Sequence, residues 1–159
     1  GSYAYAEKLL SSNVGVFPPF VVSQSGKSFR VEQHQSEKHM RLKEFYQQEF
    51  QCFYTNNTCN DYHSNILEDI RMMIQDKVSL STRIIDSDRI PSYSLKTKDI
   101  EVKNNNKWME VVSISVRNDF NKKAIFTTKN KTYKKDLLVL EIAIGLDRLI
   151  YNFYQKNNN

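Results

Sequence analysis

Cysteine is scarce in this 159-residue chain: Cys52 and Cys59 are the only two. They cannot form the disulfide framework that staples small secreted domains. No cysteine or histidine spacing reads as a zinc site. Cys52 falls within an apolar stretch and reads as core. No apolar run reaches the roughly 20 residues of a membrane-spanning helix, and no signal-peptide pattern opens the chain. The expectation is a soluble, cytoplasmic protein with no membrane partner. Proline is rare as well. Pro18-Pro19 block any helix and deliver an extended segment, Phe20 to Ser23, and Pro91 interrupts the stretch from Ser79 to Ile90. No internal repeat is visible.

What is present describes a folded globule. Hydrophobic residues make up 40% and aromatics 12%, far from a disordered composition. The length suits one domain, in which roughly 70% of the unfolded surface is buried. The formal charge of +5 fits a nucleic-acid or polyphosphate partner. It fits equally a composition biased toward Lys, Asn, Ile and Tyr.

Local patterning places the elements. Ser2 to Leu10 reads as a short helix, and Tyr62 to about Lys77 as a second, with Ile66, Ile70, Met73 and Ile74 forming its core stripe. Asn60 or Asp61 would cap it. Ser92 to Leu95 and Ile100 to Lys103 read as short strands. Asn104-Asn105-Asn106 makes a tight turn because Asn tolerates positive φ. Trp108 to Val116 is the clearest strand; alternation puts Glu110 on one face with Val112, and Ser113 and Arg117 on the other, unless a bulge changes the parity. Trp108 is expected in the core. Lys122, Lys123, Lys129, Lys131, Lys134 and Lys135 surround a strand, Ala124 to Thr128. They suit either RNA phosphates or an edge hairpin kept soluble by lysine. Leu137 to Ile144 is a buried strand, Gly145 permits a tight transition, and Leu146 to Tyr154 is a helix. Arg148 lies in its first turn, where a phosphate would be stabilised.

The stretch that carries chemistry is Gly26 to Glu32 followed by Arg41 to Phe50. It reads as two antiparallel strands joined by a loop holding His34, Glu37, Lys38 and His39. Arg30 and Glu32, two apart on a strand, point the same way. An arginine fork matches phosphate oxygens, a glutamate accepts from an amino group, and Phe45 can stack on a flat ring. Taken alone, Arg30 reads sooner as a member of a structural ion pair, with Glu32 or Glu44 the partner, than as a ligand-binding residue.

Phe29-Arg30-Val31-Glu32 with Arg41-x-x-Glu44-Phe45 resembles motif 2 of class II aminoacyl-tRNA synthetases. Glu141-Ile-Ala-Ile-Gly-Leu-Asp-Arg148 resembles their motif 3, and Trp108-x-Glu110…Arg117 and Phe45-x-Gln47-x-Glu49 resemble the glycyl type. The three elements stand in the family's order, from about Tyr3 to Tyr154. The resemblance implies an α+β fold, an antiparallel β-sheet flanked by helices, in one domain over 1–159 with motif 2 at about 26–54 and motif 3 at about 137–154. It implies a ligase that activates an amino acid, glycine, with ATP and Mg²⁺ and passes it to tRNA. Arg30 would hold the α-phosphate, Glu32 the adenine amino group, Phe45 the adenine ring and Arg148 the γ-phosphate, with Arg41 also at the ATP. Arg30 and Arg148 are the catalytic pair. Glu49, Arg117 and Glu141 would bind the amino acid, although the three could equally close into an ion-pair cluster. Glu110 would help hold the magnesium. Two departures stand out. The glycyl type's Glu-Pro-Ser-Phe-Gly is here Glu141-Ile-Ala143-Ile-Gly145, which replaces a pocket hydroxyl by a methyl. Motif 1, the element of the homodimer, is not in the sequence. A non-catalytic accessory or nucleic-acid-binding subunit is the competing expectation.

Overall fold

The computed structural model describes residues 2–12, 16–31, 40–55, 62–120 and 137–157. Glu32, His34, Glu37, Lys38, His39, Cys59, the expected helix cap at Asn60 and Asp61, and the lysine-rich run with its strand Ala124 to Thr128 lie outside the described residues.

Among the described residues six strands form one sheet: β1 (Phe20–Phe29), β2 (Glu44–Thr55), β3 (Thr82–Asp86), β4 (Ser94–Asn104), β5 (Lys107–Arg117) and β6 (Leu137–Gly145). Three helices among the described residues accompany it: α1 (Ser2–Ser11), α2 (Tyr62–Val78) and α3 (Leu146–Asn157). The spatial order is β1-β2-β6-β5-β4-β3, and every neighbouring pair is antiparallel. The extended segment after Pro19 and the first motif 2 strand are therefore one strand, and so are the two short strands expected around Ile100. Asn105 and Asn106, at φ 47° and 60°, make the two-residue turn between β4 and β5.

Each face of the sheet is covered differently. On one face Ile100, Val102, Val112, Ile114, Val116, Leu140, Ile142 and Ile144 form a core with Leu67, Ile74 and Val78 of α2. Met73 is not in the α2 stripe as expected; it is 49% exposed, and Leu67 takes that place at 3%. The seven-residue step from Leu67 to Ile74 is about two helical turns, so both point inward. On the other face α1 covers only one end. There Ala6, Val22, Phe53, Phe120, Leu137 and Val139 pack together, with Phe20 stacked on Phe53 at 4.8 Å and Phe120 edge-on to it at 4.9 Å. Among the described residues no helix covers this face beyond α1, and polar residues of β2, β5 and β6 lie on it.

Candidate active site

The ladder registers turn the open face into rows. Running away from α1, the first row is Phe20, Phe53, Val139 and Arg117. The next is Val22, Gln51, Glu141, Ser115 and Thr97, and the third is Gln24, Glu49, Ala143, Ser113 and Asp99. A fourth row holds Gly26, Gln47 and Gly145, and a fifth Ser28 and Phe45. Alternate residues on a strand point to one face, so the site is a step-by-step change from apolar to charged to bare to aromatic.

Arg30 and Arg148, from opposite ends of the chain, line one cleft at the far end of these rows. Arg41, Phe45, Gln47, Glu110, Ala143 and Gly145 share it, and it encloses about 630 Å³, open mouth included. Arg30 follows directly on β1, tied by its backbone N–H to the Lys43 carbonyl at 2.8 Å, and its guanidinium lies 5.0 Å over the Phe45 ring. Arg148 is presented by the first turn of α3. Its Nη1 donates to the Glu110 carbonyl at 2.9 Å and its Nε to the Met40 carbonyl at 3.4 Å. The start of α3 is anchored to β2 by a bond from the Tyr46 backbone N–H to the Asp147 carboxylate. Asn152, fully buried, donates to the Arg148 carbonyl at 2.7 Å and accepts from Asn104 at 3.0 Å.

Glu110 reaches this cleft through a bulge. The β4–β5 register shifts between Ile100 and Glu101, so Ile100 faces Val112 but Glu101 faces Glu110. The extra residue reverses the alternation. Glu110 therefore does not share a face with Val112 as simple alternation required; it lines the cleft, while Met109 packs on the core. Trp108 moves with it and belongs to neither core cluster; it carries the Arg83 guanidinium 4.2 Å over its ring. Desolvation and the nearby Asp99 carboxylate raise the Glu110 pKa, against the pull of Arg148 and Arg30. Its Oε2 is 3.7 Å from Arg148 Nη1. Among the described residues no three His, Cys, Asp or Glu side chains form a metal cage. Magnesium bound through one or two carboxylates and substrate phosphates needs none, and the Glu110 carboxylate, 49% exposed, is of the right chemistry.

Glu49, Arg117 and Glu141 are also brought together. Gln51 bridges the two acids, donating from Nε2 to Glu49 and, at 2.7 Å, to Glu141 Oε2. Gln24 donates to Glu49 at 3.1 Å and Tyr93 to Glu141 at 3.3 Å. Arg117 pairs with Glu141 and forks onto Asp119, with Nε–Oδ1 3.0 Å and Nη2–Oδ2 2.9 Å. The Tyr3 and Tyr93 rings cover it at 4.7 and 4.0 Å. Of the ion-pair cluster that the residues alone allowed, the described residues show the Arg117–Glu141 part, extended by Asp119, while Glu49 joins through the Gln51 amide. Desolvation opposes the Arg117 charge, yet Asp119 and Glu141 hold its pKa above the ordinary value. Burial and the bond to Asp119 raise the Tyr3 hydroxyl. Sequence reasoning missed Asp119, Tyr3, Tyr93 and Gln51. Asp119, two residues beyond Arg117, was the one with a visible signal.

The fold and this cleft define the class. Residues 5–157 match the tRNA synthetase class II core domain (G, H, P, S and T), and the chain belongs to that family. Its likeness is to the glycyl type. It is 34% identical over 146 residues to the glycine–tRNA ligase of Mycoplasma capricolum subsp. capricolum, covering 83% of this chain and 32% of that protein. The glycine–tRNA ligase of Mycoplasmopsis synoviae is 31% identical over 145 residues, with the same coverage of 83% and 32%. The chain thus spans about a third of the length of these relatives. In structure it resembles Giardia lamblia prolyl-tRNA synthetase in complex with prolyl-adenylate, with TM-score 0.73, 16% identity and coverage of 96% of this chain and 32% of that one; at that identity the likeness is one of fold. Among the described residues no helix is long and apolar enough to cross a membrane.

Proposed function

We propose that this chain is the catalytic domain of an aminoacyl-tRNA synthetase, most specifically a glycine–tRNA ligase. It activates the amino acid with ATP to aminoacyl-AMP and pyrophosphate, then transfers the acyl group to a tRNA. The observation that carries the reading is the meeting of Arg30, Arg148 and Phe45 in one cleft.

In the activation step the amino-acid carboxylate attacks the α-phosphorus and pyrophosphate leaves. No protein nucleophile is needed. The chain's contribution is positioning and charge neutralisation. Arg30 holds the α-phosphate, Arg148 the γ-phosphate and Arg41 the polyphosphate flank. Phe45 stacks on adenine, and Glu32 accepts from its amino group. Glu49 and Glu141 grip the ammonium, while Arg117 orients the substrate carboxylate and the acids around it. When bound, Mg²⁺ would neutralise phosphate charge, with Glu110 the residue that would hold it. Glycine is favoured by the relatives' likeness, with the Ala143 methyl standing where the glycyl type carries a hydroxyl. We place the complete protein in the cytoplasm as a homodimer and read 1–159 as one domain of it, with motif 2 at 26–54 and motif 3 at 137–154.

ATP–pyrophosphate exchange tested across all amino acids, with the native protein, is the deciding experiment. Exchange is expected with glycine and is abolished in Arg30→Ala while circular dichroism keeps the native fold. Exchange of wild-type rate in Arg30→Ala would refute the assignment. No exchange with any amino acid, together with no heat on titrating Mg-ATP, would turn the reading to an accessory subunit.

A further inference from the structure

Past the β4–β5 bulge the hairpin continues as a short tip. Its pairs run from Glu101–Glu110 to Asn104–Lys107 and close at the Asn105-Asn106 turn. On its outer side the tip is still tied to main chain: Val102 pairs with Thr82 of β3, and the Lys103 N–H donates to the Ser81 carbonyl at 2.8 Å. Its inner side differs. Among the described residues the β5–β6 ladder runs from Val112 to Arg117 and does not reach the tip. There β6 has ended at Gly145 and the chain has turned into α3.

Arg148 depends on this tip. Its Nη1 donates to the Glu110 carbonyl, so the guanidinium is aimed by a segment that no strand ladder ties to α3. Asn152 supplies a tie. It stands about one turn after Arg148 on α3 and is fully buried. Besides its bonds to the Arg148 carbonyl and from Asn104, its Nδ2 lies 3.3 Å from Met109 Sδ. One amide thus joins α3 to both strands of the tip. Asn104 leads into the turn and Met109 immediately precedes Glu110. Filling space alone does not require an amide here: Leu146 and Leu149 of the same helix pack on the core without one. A buried amide costs free energy unless it is bonded, and this one uses its carbonyl and both N–H groups. Its bonds are directional, so they fix an orientation as well as a distance.

We propose that Asn152 is a positioning residue for the triphosphate: through Asn104 and Met109 it locks the hairpin tip onto α3, and so fixes the Glu110 carbonyl that aims the Arg148 guanidinium. The inference rests on the activation reading above, in which Arg148 takes the γ-phosphate, and adds to it the residue that sets where that cation points.

Calorimetric titration of the native protein with Mg-ATP and with AMP tests this. AMP has no β- or γ-phosphate, so its affinity reports Arg30 and Phe45 without Arg148. Asn152→Leu keeps the size of the side chain and removes all of its bonds. Asn104→Ala removes the bond from the hairpin side at a half-buried position, and keeps the question answerable if Asn152→Leu does not fold. Both variants are expected to bind Mg-ATP ~10-fold more weakly, about the worth of one charge-assisted hydrogen bond, with the affinity for AMP unchanged. In pyrophosphate exchange the KM for ATP is expected to rise by the same factor while the KM for the amino acid holds. A melting temperature that falls while Mg-ATP affinity holds, in either folded variant, would make Asn152 a packing residue and overturn the proposal. An equal loss of affinity for AMP would overturn it too. No binding of Mg-ATP by the parent protein would instead overturn the activation reading, and this inference with it.

Discussion

Arg117→Met separates two roles that an activity assay would confuse. Arg117, Asp119 and Glu141 have side chains only 12%, 8% and 13% exposed. Methionine keeps the hydrophobic stem against the Tyr3 and Tyr93 rings but removes the charge. It leaves two carboxylates buried without their cation, in a cluster that already holds Glu49 through Gln51. Removing one partner of a buried pair costs about 3–5 kcal/mol, a large part of the roughly 5–15 kcal/mol of a typical domain. For a chain of this size the melting temperature falls on the order of 10 °C. Urea denaturation at pH 7 measures the loss. A double cycle with Asp119→Asn isolates the pair, whose coupling is expected to exceed ~1 kcal/mol. A loss below ~1 kcal/mol at unchanged m-value would refute the reasoning. Arg117 would then be held for a substrate carboxylate and would contribute nothing to the fold.

Two further outcomes follow from the core. Burial, with Lys96 and Lys98 nearby, pushes the His63 pKa down to about 4, and its buried Nε2 has no hydrogen-bond partner among the described residues. The unfolded chain takes up this proton below about 6.5 and the native fold does not until about 4. Stability is therefore flat in this respect above pH 6.5 and is lost as pH falls to 4, by up to about 3 kcal/mol. Urea melts at pH 7, 5.5 and 4 are expected to show this slope and its loss in His63→Gln; equal slopes would overturn it. Leu67→Ala is expected to cost about 2–5 kcal/mol, whereas Met73→Ala stays within about 0.5 kcal/mol. Equal losses in thermal denaturation would contradict the assignment of the α2 face.

Much of the architecture was legible from short-range pattern. The three helices, the Asn105-Asn106 turn and the strands from Trp108 and Leu137 all follow from spacing over a few residues. The meeting of Arg30 with Arg148 was legible too, though only through motif order, because no periodicity links residues so far apart. The α2 stripe was misread at Met73 because Leu67 and Met73 both lie within reach of an apolar face, and packing against the sheet selects the angle. The Glu110 face stayed conditional on a bulge, because alternation fixes a face only on a regular ladder, and the β4–β5 shift supplies that bulge.

By itself, the sequence determined the three helices and the strands from Trp108 and Leu137 to within a few residues, since these depend on local periodicity and turn chemistry, but it divided β1 and β4 into shorter pieces. It also carried the residue types of the cleft. Only the tertiary structure decided which side of the sheet each group faces beyond the β4–β5 bulge, and whether Arg117 meets solvent or closes onto Asp119. Those outcomes depend on pairing between strands distant in the chain, where one extra residue reverses every side chain that follows.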